Sequence, residues 1–250
     1  MKRVVIDNRR QALIFKTEEE AYAFCAETFI EQAQKAVSAR GSFSVALSGG
    51  STPLPVYEQL ANPSTALLVN WSLVDIFWGD ERCVPATDPE SNYGNALSFL
   101  SIPPLDQAKK HRLIGDAPDL GKAAADYEKK LKTICSKGCL DMIFLGLGND
   151  GHTASLFPHT KALTESTKLV TPNYLPEKDL WRMSLTFEAI NSARSIYALV
   201  LGRGKSKILK RIFFDEKNID ELPGQNIGTE EHPAYFILDK KAAYGLGLKC

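Results

Sequence analysis

Asp150-Gly151-His152 is the grouping in this chain most suited to acid–base chemistry. The aspartate can orient the imidazole, and a position at a helix start would disfavour the ring's cation. Both suit a general base working near neutral pH, although the carboxylate by itself favours the cation. The pair lies inside Gly146-Leu147-Gly148-Asn149-Asp150-Gly151-His152-Thr153-Ala154-Ser155-Leu156-Phe157-Pro158, after an apolar run, Leu140 to Leu145, that reads as a buried strand. Its first six residues spell G-x-G-x-x-G. A dinucleotide site needs a helix after the third glycine and an acid about 20 residues on. Pro158 closes off a long helix, and the next strand-like run, Lys168 to Thr171, ends without an acid. The glycines therefore read as a tight backbone turn beside a ligand. His159 stands outside the pairings that place two zinc ligands on one helix.

Three other segments carry polar chemistry at strand ends. Ser48-Gly49-Gly50-Ser51-Thr52-Pro53 combines glycines with hydroxyls, and Thr52 can cap a helix with Pro53 at its first position. The free N–H groups and dipole of such a start favour a phosphate. Asp80-Glu81-Arg82 clusters three charges; in an extended segment Asp80 and Arg82 share a facing that Glu81 does not. Gly202-Arg203-Gly204-Lys205-Ser206 has a Walker-like tail, but Leu199 stands where the full pattern needs glycine. Lys205 remains a point-charge partner for a phosphate at the start of a helix. No G-x-S-x-G elbow supports a serine nucleophile.

The elements that must position these segments alternate. Thr17-Glu18-Glu19-Glu20 is a capping box, followed by Tyr22, Cys25, Phe29, Ala33 and Val37 at helical spacing and a stop at Gly41. Strands are expected at Phe43–Leu47, Leu73–Trp78, Leu140–Leu145, Arg182–Thr186, Ser195–Leu201 and Tyr235–Leu238. Helices are expected from Pro53 to about Leu60, from Asp119 to Lys137 and from Lys205 to Phe214, and a Pro/Asn-rich loop runs to Tyr93. This alternation predicts an α/β fold: one three-layer, Rossmann-like domain over residues 1–250, with a mainly parallel sheet and helices on both faces. In such sheets ligands sit beyond the carboxyl ends of the strands, where all the polar segments fall.

Composition narrows the function classes. Thirty basic and thirty acidic residues balance, which speaks against a nucleic-acid partner but not against a local pocket for a small anion. No apolar run approaches a membrane span, and the first residues lack the apolar core of a signal peptide. The five cysteines (Cys25, Cys83, Cys135, Cys139 and Cys250) show no zinc-like spacing with histidine, so idle thiols in a cytoplasmic protein are expected.

Taken together, Leu47 to Pro53, Trp78-Gly79-Asp80-Glu81-Arg82 and Gly146 to Pro158 resemble the 6-phosphogluconolactonase family, the lactonase branch of the glucosamine/galactosamine-6-phosphate isomerase superfamily. Ser91-Asn92-Tyr93 and Gly202-x-x-Lys205 also fit, and the resemblance spans roughly Phe43 to Lys241. Arg182 matches the family's R-x-T/S-L segment, while Tyr174 to Trp181 depart from its Pro-rich run. The sister deaminases usually carry Tyr where Arg82 stands, and where Phe157 stands they carry a Glu that helps open the sugar ring.

The resemblance implies hydrolysis of 6-phospho-D-glucono-1,5-lactone to 6-phosphogluconate, without metal or organic cofactor. It implies a phosphate held by Ser48, Gly49, Gly50, Ser51 and Thr52 with Lys205 and Arg182. His152 would activate water, oriented by Asp150. Arg82, or N–H groups of the glycine loop around Gly148, would stabilise the oxyanion, and Asp80 would bind a sugar hydroxyl. The alternatives are an isomerase or deaminase acting on a phosphosugar, and a non-catalytic phosphosugar sensor. The latter is disfavoured because no helix-turn-helix segment or basic excess is present.

Overall fold

A computed structural model describes residues 1–247, so Cys250 lies outside the described residues. The chain opens with a hairpin that periodicity did not reveal, β1 (Lys2–Val5) against β2 (Arg10–Phe15). Helix α1 (Glu18–Arg40) follows with both predicted stops in place: the Thr17 hydroxyl accepts from the Glu20 N–H, and Gly41 closes the helix at φ 81°.

Strand β3 (Phe43–Leu47) leads to α2 (Leu54–Ala61) and a single turn, α3 (Pro63–Ala66). Then come β4 (Val74–Trp78), β5 (Asp80–Arg82), α4 (Asn92–Leu100) and β6 (Lys109–Lys110). The expected loop to Tyr93 is corrected, because Ser91 caps α4 and the helix is already under way at Asn92. Helix α5 (Leu120–Ile134) starts on the Asp119 cap and stops short of Lys137 in a separate tight turn. The remaining elements are β7 (Met142–Leu145), β8 (Val170–Leu175), β9 (Leu180–Leu185), α6 (Phe187–Ser192), β10 (Ile196–Val200), α7 (Ser206–Phe214) and β11 (Ala234–Asp239).

Eight strands form the main sheet in the order β1-β2-β11-β10-β7-β3-β4-β6. Every neighbouring pair except β1–β2 is parallel. The two faces of each strand feed different cores, as the alternation of side chains requires. Met142 and Phe144 pack with Phe29, Tyr57 and Leu100 of α1, α2 and α4. Ile143 and Leu145 pack with Leu131, Ile190 and Ile212 of α5, α6 and α7. This is the three-layer arrangement the alternation predicts.

From β3 the chain steps outward to β4 and β6; from β7 it steps the other way to β10 and β11. The direction of winding therefore reverses between β3 and β7, and the crevice outside their carboxyl ends is where such a sheet receives a ligand. A second, three-stranded antiparallel sheet, β5-β9-β8, stands over that crevice. The strand expected at Arg182–Thr186 belongs to it as β9 and not to the main sheet.

Candidate active site

The loops after β3 and β7 enclose a cavity of about 250 Å³, closed by residues from β5, α4 and the turn before α7. At one wall, Thr52 does not cap α2, contrary to expectation. Pro53 occupies the cap position in helical geometry, without a side-chain cap. Among the described residues, the N–H groups of Gly49, Gly50, Ser51 and Thr52 find no acceptor. An uncapped helix start preceded by free N–H groups has the dipole and the donors to receive an anion. Ser48, Gly49, Gly50 and Thr52 line the cavity, whereas Ser51 is exposed outside it.

Lys205 lines the same cavity and donates from Nζ to the Leu147 carbonyl at 2.7 Å. Burial pushes its ammonium below the usual range, and the Asp150 carboxylate pulls partly back. Arg82 lines the cavity, anchored by a 2.6 Å bond to the Glu90 carbonyl. Arg182 does not reach the lining; it is the cross-strand partner of Arg82. Burial first, then the neighbouring Arg82 charge, depress its guanidinium.

Glu81 faces away, fully buried, and accepts from the N–H groups of Arg82, Asn92 and Tyr93 and from the Ser91 hydroxyl. Burial raises its carboxyl above the usual range, and those donors oppose the rise. Its work is to hold β5 against the start of α4.

At the opposite wall, the His152 ring Nδ1 stands 2.6 Å from Asp150 Oδ1. Burial opposes the aspartate's charge, but the bonds and charge of His152 outweigh it and hold the carboxyl down at about 2. A carboxylate only accepts, so Nδ1 carries the proton and the neutral ring keeps its lone pair on Nε2. Nε2 bonds to no described residue, and His152 lines the cavity. Gly148 lies under the ring: a Cβ there would come within 2.1 Å of Nδ1.

The expected helix start at His152 is absent. Thr153 to Leu156 form a tight bridged turn with Ala154 at φ 48°, so no helix dipole acts on the imidazole.

Asp80 lines the cavity, but its carboxylate is already engaged. Oδ2 accepts from the Ser155 hydroxyl at 2.6 Å and Oδ1 from Asn92 Nδ2 at 3.3 Å. Ser155 also donates its N–H to Ser184 Oγ and accepts from Asn173 Nδ2. Sequence reasoning missed this buried hub of Ser155, Asn173 and Ser184, which ties the turn after His152 to all three strands of the small sheet. Its members come from three separate segments, and no local spacing joins them. It also gave no role to Asn92, although the Ser91-Asn92-Tyr93 triplet stood out, nor to Tyr57, whose hydroxyl fixes the Ser48 carbonyl at 2.7 Å.

The architecture is that of an α/β enzyme with a wall of free N–H groups and a histidine–aspartate pair at the switch point of a parallel sheet. The chain belongs to the family of glucosamine-6-phosphate isomerases and 6-phosphogluconolactonases, whose model matches residues 16–236. A 6-phosphogluconolactonase of Chlamydia pneumoniae is 37% identical over 86% of this chain and 82% of its own length. That of Synechocystis is 38% identical over 85% and 88%. The solved structure of a Trypanosoma brucei 6-phosphogluconolactonase superposes with a TM-score of 0.81 at 28% identity, covering 94% of this chain and 98% of that one. Among the described residues, no helix is long and apolar enough to cross a membrane.

Proposed function

We propose that this enzyme is a 6-phosphogluconolactonase that hydrolyses 6-phospho-D-glucono-1,5-lactone, in the oxidative branch of the pentose phosphate pathway, with His152 as general base. The observation that carries the reading is the division of one cavity between two poles. Free N–H groups with Lys205 suit the phosphate dianion, and the open Nε2 of His152 suits activation of water. Arg182 adds positive potential from behind Arg82.

His152 takes a proton from water as the oxygen attacks the lactone carbonyl carbon. Asp150 stabilises the imidazolium that forms, and the proton then passes to the ring oxygen as the C–O bond breaks. Atoms and charges balance with water alone as co-reactant. The Gly148 N–H expected to meet the oxyanion already donates to the His152 carbonyl at 2.8 Å, so the donor assigned to the oxyanion is the Arg82 guanidinium, which lines the cavity. Asp80, braced by Ser155 and Asn92, presents an acceptor wall to the sugar hydroxyls. Phe157 supplies an apolar face beside His152 where a ring-opening deaminase needs an acid.

The test is lactone hydrolysis followed with the spontaneous rate subtracted. Acceleration over buffer is expected, and its absence would sink the reading.

A further inference from the structure

The His152 ring is confined from two directions, with space left for it by a glycine. Asp150 holds the Nδ1 edge, Gly148 leaves room beneath it, and the Phe157 ring stacks on its face at 4.0 Å between centroids and 22° between planes. A single edge hydrogen bond lets an imidazole roll about the N···O line; a flat neighbour does not.

Phe157 is itself held. The preceding turn is pinned through Ser155 to β5, β8 and β9, the Phe157 carbonyl accepts from Thr160 Oγ1 at 2.7 Å, and Lys178 Nζ stands 5.1 Å from the Phe157 ring centroid. Yet Phe157 is only half-buried and belongs to neither core cluster, so packing of the fold does not account for it.

We propose that Phe157 is a positioning residue, which by stacking selects the one imidazole orientation that joins Nδ1 to Asp150 and turns Nε2 toward the cavity. This rests on the reading of His152 as base. Because it acts on the geometry of proton transfer and not on the phosphate pole, its loss belongs in kcat and not in KM.

The experiment compares Phe157→Leu, Phe157→Tyr and His152→Ala in lactone hydrolysis, with folding checked by circular dichroism. Phe157→Leu is expected to lower kcat about tenfold or more with KM within about twofold, since small misplacements at a reacting group cost that much. Phe157→Tyr keeps the flat ring and is expected to restore kcat. An inactive His152→Ala beside a Phe157→Leu of normal kcat, or a Phe157→Tyr as impaired as Phe157→Leu, overturns the positioning role alone. A fully active His152→Ala overturns the base reading beneath it.

Discussion

The chain builds the same three-part cluster twice. His152 meets Asp150 at 2.6 Å and stacks on Phe157; His111 meets Asp75 at 2.7 Å and stacks on Phe77 at 4.5 Å and 25°. Composition and bond lengths do not separate them, but surroundings do. His111 uses Nε2 for its aspartate, follows β6 directly and stacks on the Phe77 ring, which Tyr127 of α5 meets edge-on. Its side chain and that of Asp75 are 16% and 7% exposed, against 28% and 46% for His152 and Asp150. His152 stands past the carboxyl end of β7 with a ring nitrogen open to a cavity. A histidine–aspartate–phenylalanine cluster is thus a structural rivet inside a layer and a chemical device at the strand ends.

The sharpest way to break this distinction is His152→Ala, expected to lower kcat by about 10²–10⁴ if the ring is the general base. Full activity in the variant would place His152 with His111 as a structural group. Next in size is Lys205→Ala, which probes the opposite pole of the same cavity. Loss of a charged hydrogen bond to the phosphate is expected to weaken substrate binding by roughly 1.5–3 kcal/mol, read as a raised KM with kcat nearly unchanged. An unchanged KM would return Lys205 to the single bond it makes with the Leu147 carbonyl.

Sequence reasoning reached the first cluster and not the second for a physical reason. Asp150 and His152 are two residues apart on one turn after an apolar strand, so their meeting is local. Asp75 and His111 are joined only by the pairing of β4 with β6, which no spacing announces. The same holds for β2, whose partner β11 lies at the other end of the chain, and for the small sheet, whose short strands carry mixed patterns. The Thr52 cap failed for a different reason. Pro53 and Pro55 preset helical backbone in the first turn and leave it with fewer N–H groups to satisfy, so no side-chain cap forms and the start stays open to a ligand. Phe157 was legible as a residue type that separates the two branches of the family. Its stack on His152 was not, because it depends on the left-handed turn at Ala154 and on the Ser155 hub.

The structural cluster makes the third prediction. His111→Ala leaves the buried Asp75 carboxylate without its donor, so stability is expected to fall by about 1–3 kcal/mol, measured by urea denaturation, while kcat holds. A loss of kcat with unchanged stability would erase the contrast between the two clusters.

The smallest effect tests whether charge holds the catalytic pair. Asp150 sits near 2 in the folded protein against an ordinary 3.8. Folding therefore gains stability from its ionised form, present in full above about pH 4 and lost as pH falls through 2. The side chain is 46% exposed, so solvent screening leaves about 1 kcal/mol at most. Asp150→Asn removes this increment at every pH. The stability difference between wild type and variant should shrink as pH falls from about 4 through 2, in urea titrations across that range. A difference that persists undiminished at pH 2 would mean that Asp150 holds His152 by shape and neutral hydrogen bonding. The open cluster would then be built on the same terms as a rivet, and only the free Nε2 would set it apart.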